Sequence, residues 1–325
     1  NPKYSSVDGV LYNKTKTVLI KVPQAKSSFT ILSSVNSIGD YAFSGCANLT
    51  SVEFPSLLSY IGNYAFSGCA NLTSIEFPPS LRNICDYAFS DCTGLTSVEI
   101  PSSVWSLYNT AFLGCTNLKT AVVSSSSSNF AFDNAEKVYY LNPDAVINDA
   151  SRLDYYTGTI YGTQKVLDQF EYPNITKVEL YSLEKEEKLG AATLSFDNIY
   201  SELELGDASC SENGTVERTD NRYEISGLSP KTSYQVHVNV KLNGKQMTLP
   251  VEIQTETPVI PVPIVVERTQ TKIVFDISAP FDESCTVPIE LYVAGTTVGV
   301  DRHYVSSEYI EDYKGGIEQL LKDAQ

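Results

Sequence analysis

Apolar positions in the first third of the chain recur every 23 residues without a slip. Phe43, Phe66, Phe89 and Phe112 form one column, Cys46, Cys69, Cys92 and Cys115 a second, and Leu49, Leu72, Leu95 and Leu118 a third. Val35, Leu58, Leu81 and Val104 form a fourth, and Ile38, Ile61, Ile84 and Leu107 a fifth. The run Leu49-x-x-Val52-x-Phe54 alternates apolar and polar, which predicts a short strand with every second side chain pointing inward. Pro55, Pro78 and Pro101 end that strand, because proline cannot donate to a continuing ladder. A second extended piece carries Leu58 and Ile61. Asp40, Asn63, Asp86 and Asn109 then stand where an N-cap would open one helical turn over Tyr-Ala-Phe or Thr-Ala-Phe. Gly45, Gly68 and Gly114 supply a left-handed stop, with Asp91 in that place once. Phe29 and Ile31 carry the strand columns one unit further back, which makes five strands and about four full coils. A single coil cannot bury its apolar edge alone, so the coils are expected to stack into a solenoid.

The pattern I-G-D-Y-A-F-x-G-C-x-x-L-x-x-V-x-F-P resembles the leucine-rich repeats of the BspA-like surface proteins of gut and oral bacteria. The opening V-D-G-V-L-Y-N, followed by T-x-L-I, resembles that family's hairpin element, which often follows an earlier repeat, so Asn1 need not be a natural terminus. The resemblance spans residues 1–123 and implies a secreted or cell-surface location and contact with host proteins, glycans or other cells.

Two columns of the repeat face outward. One is Ser28, Ser51, Ser74, Ser97 and Thr120; the other is Thr30, Glu53, Glu76, Glu99 and Val122. With strand rungs about 4.8 Å apart, three glutamates stand in file on an open sheet face. Each unscreened neighbouring pair costs on the order of 1 kcal/mol in water. Solvated positions copied by repeat duplication explain such a file, and so does a ligand-contact stripe for a basic or polyhydroxyl partner or for calcium. Ser51, Glu53, Ser74, Glu76, Ser97 and Glu99 are therefore the candidate binding residues. A glycosidase pair would need a cleft and one acid with a raised pKa, and a flat exposed ladder offers neither. The Cys column reads as core filler, since four cysteines in a straight file cannot converge on one tetrahedral metal.

SSSSS at 124–128 is expected to close the repeats, with 129–173 a degenerate closing coil or a cap over the last apolar edge. From about Ile175 the pattern becomes short alternating strands between turns, as in an all-β sandwich. Y-E-I-S-G-L-S-P-K-T-S-Y-Q-V-H-V at 223–238 resembles the end of a fibronectin type III domain, in which a buried Leu (Leu228) and a corner Tyr (Tyr234) fix the entry to the next strand. Thr255 and Thr257 fit the close of its last strand, while the missing early Trp leaves an immunoglobulin-like variant open. His237 alternates with Val236 and Val238 and is expected to face solvent. PVIPVP at 258–263 reads as a stiff linker to a second, short or truncated sandwich-like domain over 258–325. The expected fold is thus mainly β: a solenoid with its hairpin over 1–123, a capping or connecting segment over 124–173, a fibronectin type III-like sandwich over 174–257, and the short domain. A Cys210–Cys285 disulfide is open to it, though no spacing requires one.

Charge narrows the partners. The chain carries 23 basic and 39 acidic residues, for a net charge of −16. Residues 1–123 balance at seven of each sign, so the remainder holds the whole excess. Such a chain repels phosphate backbones and anionic lipid, which argues against nucleic acid or a bare membrane surface as partner. No stretch approaches the roughly 20 apolar residues that span a bilayer. Two histidines, no G-x-S-x-G and no convergent metal ligands argue against an enzyme and against any cofactor. The reading is an extracellular adhesion or binding protein with a protein or glycan ligand. The alternatives are a passive spacer in a larger surface protein and, less favoured, an accessory module of a secreted hydrolase.

Overall fold

The computed structural model describes residues 1–256 except 152, 154, 155, 173, 174 and 213, and beyond them the strand segments 264–268, 273–276, 287–288 and 304–305. Apart from those segments, the expected domain over 258–325 lies outside the described residues, as does Cys285.

The chain opens on a hairpin. Tyr4–Val7 pairs antiparallel with Val10–Asn13 across Asp8 and Gly9, whose φ of 51° and 80° suit a tight two-residue turn. Val18–Lys21 adds antiparallel to Val10–Asn13 and then pairs in parallel with Ser37–Ile38. From there a parallel ladder steps through Tyr60–Ile61, Asn83–Ile84 and Ser106–Leu107. The hairpin packs on the first coil through buried Val10 and Tyr12.

On the opposite face, Ser28–Thr30 pairs with Ser51–Glu53, and Ser97–Ile100 with Thr120–Val123. The strand expected between them, through Ser74 to Glu76, forms no ladder. Pro78 and Pro79 follow it and withdraw two consecutive donors. Its inward side chains still hold their columns, with Leu72 and Ile75 buried.

The expected helical turn is absent as well. Tyr41, Tyr64 and Tyr87 adopt φ of 57°, 54° and 56°, a left-handed geometry in which no helix can start. The backbone donors of this segment are used between coils: Tyr41 N–H reaches the Asn63 carbonyl, Phe43 that of Ala65 and Gly45 that of Ser67. The donors between them, Ala42, Ser44 and Cys46, make only single turns to the carbonyls of Gly39, Tyr41 and Phe43, so no continuous helical ladder forms. Asp40 likewise accepts from the Asn63 N–H of the next coil at 2.8 Å instead of capping its own turn. Outside, the three tyrosine rings stack at 5.0 and 4.7 Å. The left-handed stops stand where the sequence puts them, with Gly45, Gly68 and Gly114 at φ of 74°, 74° and 77° and Asp91 at 57°.

Inside, Phe43, Phe66, Phe89 and Phe112 form a continuous stack with centroid spacings of 4.5, 5.0 and 5.3 Å. Beside it the thiols run as a second file. Cys69 Sγ donates to the Phe43 carbonyl at 3.3 Å, and Cys92 and Cys115 donate to those of Phe66 and Phe89 at 3.2 Å. Burial pushes Cys46 up to about 11 and Cys115 up to about 12, so neither supplies thiolate near neutral pH. Mass-spectrometric alkylation of the native protein is expected to label half-buried Cys210 well before Cys46, Cys69, Cys85, Cys92 or Cys115, which react only on unfolding. Rapid native labelling of any of the five would contradict this packing.

The parallel ladder does not stop at residue 123, where the sequence places the end of the repeats. Thr120–Val123 pairs with Lys137–Tyr140, which pairs with Thr159–Gly162, which pairs with Thr176–Glu179. The starting residues 97, 120, 137, 159 and 176 give steps of 23, 17, 22 and 17, so the period changes while the coil persists. Val138 and Ile160 continue the inward column, and Phe130, Phe132 and Phe170 fill the interior.

From Ser182 the chain forms two antiparallel sheets around one core. The first orders Ser182–Lys188, Ala191–Asp197, Arg222–Ser226 and Thr215–Thr219; the second orders Leu203–Cys210, Ser233–Leu242 and Lys245–Gln254. Alternation along Ser233–Leu242 buries Tyr234, Val236, Val238, Val240 and Leu242 and leaves His237 half-exposed on the outer side. The Tyr234 hydroxyl accepts from Ser229 N–H at 2.7 Å beside buried Leu228. A bulge between Leu205 and Ala208 frees the Gly206 carbonyl, which accepts from the Tyr223 hydroxyl of the facing sheet at 2.6 Å.

Candidate binding face

The long-strand face carries two outward columns along its whole length, and their chemistry changes partway. Strand register places Thr30 beside Glu53, Glu99 beside Val122, Val122 beside Tyr139, Tyr139 beside Tyr161, and Tyr161 beside Val178. One column therefore begins with hydroxyl and carboxylate and ends with apolar and aromatic side chains.

The apolar end is covered. Val122, Tyr139, Leu141 and Tyr161 belong to the same core as the two-sheet unit, not to the solenoid interior. Tyr139 and Tyr161 stack at 4.4 Å, with Tyr200 tilted against Tyr161 at 5.2 Å. Polar contacts pin the rim. The Tyr181 hydroxyl donates to the Leu141 carbonyl, and Asn243 Nδ2 donates to the Tyr139 hydroxyl at 3.3 Å. Lys185 and Lys165 clamp Asp144 from the two units at 2.5 and 2.7 Å. Burial alone would raise the Asp144 carboxyl, but the hydrogen bonds from the two lysines outweigh it and hold the group below its ordinary value.

The candidate residues divide along this boundary. Ser51, Glu53, Ser74 and Glu76 are exposed. The Glu53 carboxylate accepts from the Thr30 hydroxyl at 2.9 Å, and Glu76 has no partner among the described residues. Ser97 is exposed, but Glu99 is half-buried and accepts from Lys245 Nζ at 2.8 Å, at the tip of the hairpin that joins Ser233–Leu242 to Lys245–Gln254. The file of three equivalent open glutamates expected from the sequence is thus two open glutamates and one bridged to the second unit. That bridge is a surface ion pair, worth about 0–1 kcal/mol, so it marks the edge of the docked unit more than it holds it. Sequence reasoning missed the covered half of the column. The signal was present in the outward Val122, Tyr139 and Tyr161, which have no reason to be apolar on an open face. Among the described residues no group of three His, Cys, Asp or Glu is placed to hold a metal ion.

Residues 24–138 match the family model of the BspA type leucine-rich repeat region in six copies. The solved pneumococcal vaccine antigen PcpA is similar over 55% of this chain and 48% of its own, at 23% identity and a TM-score of 0.46. A leucine-rich cell surface protein from Faecalibacterium prausnitzii is similar over 47% of this chain and 42% of its own, at 28% identity and a TM-score of 0.38. A Treponema pallidum leucine-rich repeat protein is similar over 54% of this chain and 96% of its own, at 21% identity and a TM-score of 0.34. The chain spans less than half the length of the first two. No curated protein matches it.

Proposed function

We propose that this chain is part of a secreted or cell-surface binding or adhesion protein, non-catalytic, whose repeat face meets an extracellular protein or glycan. The observation that carries this reading is the division of the outward column. Its apolar half is used to dock the second unit, while Ser51, Glu53, Ser74 and Glu76 are left open, with Ser97 and Glu99 at the margin. The BspA-type repeat region adds the surface setting, and no helix among the described residues is long and apolar enough to cross a membrane.

Within the proposal the two-sheet unit is an immunoglobulin-like or fibronectin-like sandwich that carries the solenoid. The division into four and three strands follows the constant-type immunoglobulin order, and the Ser229–Tyr234 hydrogen bond occupies the place of a tyrosine corner. The extent of the contact between the units favours a second reading, in which the block acts as a stiff spacer within a longer surface protein.

Binding of the whole chain to arrayed extracellular-matrix proteins and glycans separates the two readings. The double variant Glu53→Ala/Glu76→Ala is expected to weaken ligand binding about tenfold, the scale of one or two lost charge-assisted contacts, with an unchanged melting temperature. Undiminished binding by that variant would move the site elsewhere, and no binding to any array member would leave the spacer.

A further inference from the structure

The protein has one tryptophan, and at 69% exposure it is the most exposed large apolar side chain among the described residues. Trp105 lies on the short-strand side of the solenoid, immediately before Ser106–Leu107. Its indole Nε1–H donates to Asn83 Oδ1 at 2.8 Å, one coil back. Asn83 is itself fixed in the ladder between Tyr60 and Ser106. The ring is therefore held in place through its only donor, and what it presents to solvent is a π surface.

Two further rings share this strip. Tyr108, three residues on, is 41% exposed. Tyr60 is half-buried in the same outward column as Asn83, and its hydroxyl meets the Cys85 thiol within electrostatic reach of Tyr108. Tyr60, Asn83 and Ser106 stand on consecutive rungs, so the strip runs roughly 10 Å along the solenoid.

The charged side chains around it are each tied to a neutral group. The Arg82 guanidinium donates to the Ser103 carbonyl at 3.0 Å, Asp40 accepts from Asn63 N–H at 2.8 Å, and Asp86 accepts from the Thr110 hydroxyl at 2.8 Å. What remains on offer is aromatic surface edged by phenol, amide and hydroxyl groups. That set fits an uncharged sugar, whose C–H face stacks on a ring while its hydroxyls meet the polar edge. A stable protein partner needs about 800 Å² on each side, more than three rings along three rungs supply. With Asp40 and Asp86 against the single Arg82, the named charges around the strip are net negative, which disfavours an anionic glycan.

We propose that Trp105, Tyr108 and Tyr60 form a stacking platform for a neutral oligosaccharide or polysaccharide. It lies on the face opposite the open Ser and Glu columns and does not depend on binding there. Asn83 is a positioning residue, acting through the indole it holds.

Because Trp105 is the only tryptophan, its emission, excited selectively over the 21 tyrosines, reports on this site alone. The experiment titrates the protein with a panel of neutral glycans (a β-glucan, a mannan, a xylan and a galactan) and follows Trp emission and acrylamide quenching. At least one is expected to shift the emission to shorter wavelength and shield the ring. Trp105→Ala, followed by affinity electrophoresis, is expected to weaken that binding at least tenfold, as for loss of one anchoring aromatic. Trp105→Phe should recover part of it, and Asn83→Ala should weaken binding several-fold although the indole remains. All three variants should melt with the parent, and Glu53→Ala/Glu76→Ala should bind the glycan normally, which keeps this test separate from the other face. Failure of every neutral glycan, undiminished binding by Trp105→Ala, or shielding of Trp105 only by a protein or an acidic glycan would each overturn the proposal.

Discussion

Phe66→Ala is expected to lower the thermal midpoint by on the order of 10 °C. Phe66 is fully buried, stacked at 4.5 Å on Phe43 and 5.0 Å on Phe89, with Phe54 edge-on at 5.8 Å. Truncating a buried Phe costs about 3–5 kcal/mol, and in a unit of 150–250 residues each kcal/mol moves the midpoint by about 2–4 °C. The surroundings have little freedom to close the gap. Each neighbouring ring is fixed by its own coil, and coil spacing is set by the inter-coil hydrogen bonds from Tyr41, Phe43 and Gly45. Because each coil touches only its neighbours, the defect should also divide the cooperative unit. Calorimetry should then show a broadened or split transition, with Phe66→Leu in between. A shift of under about 3 °C would mean that the column relaxes freely and is not the structural spine described here.

The second large effect lies at the contact between the units. Tyr161 is 6% exposed, stacked on Tyr139 and touched by Tyr200. Tyr161→Asp places a carboxylate in that contact. Lys137 Nζ lies over the Tyr161 ring, 5.9 Å from its centroid, so the variant also loses a cation–π contact, and the shorter carboxylate must draw that ammonium inward to gain a partner. An inadequately paired buried charge costs several kcal/mol, comparable with everything the rim contacts supply. The units are expected to part, with faster amide exchange through Lys137–Tyr140 and Thr159–Gly162 and new dye binding to the uncovered Val122, Tyr139 and Leu141. Scattering should show a longer particle. Tyr161→Phe, which keeps the ring, should leave all three unchanged. Retention of parental exchange and dimensions by the Asp variant would show that the apolar contact is not what joins the units.

The sequence made the repeat legible because its columns are strict. Phe, Cys, Leu and the left-handed Gly stops can be placed by counting 23, and they stand in the structure as counted. What the count could not follow was the solenoid beyond residue 123, where the steps fall to 17, 22 and 17. There the two-residue alternation persists, Val138 inward and Tyr139 outward, but a fixed-period search looks past it. The turn after Asp40 was misread for a different reason. Asp-Tyr-Ala-Phe has the composition of a capped helical turn, yet the next coil takes every second backbone donor of the segment. The candidate site was half legible: Ser51, Glu53, Ser74 and Glu76 lie open, while the bridge from Glu99 to Lys245 depends on residues 146 positions apart that no local pattern connects.

The switch along the outward column has a consequence for how such a chain can vary. The docking surface is specified by coils after Glu99, and the hairpin by residues before Ser28. A coil duplicated or lost between them would lengthen or shorten the open stripe by one rung of about 4.8 Å, with both ends undisturbed. The length of the exposed face is thus an independent dimension of this architecture, adjustable in whole 23-residue increments like beads between two fixed stops.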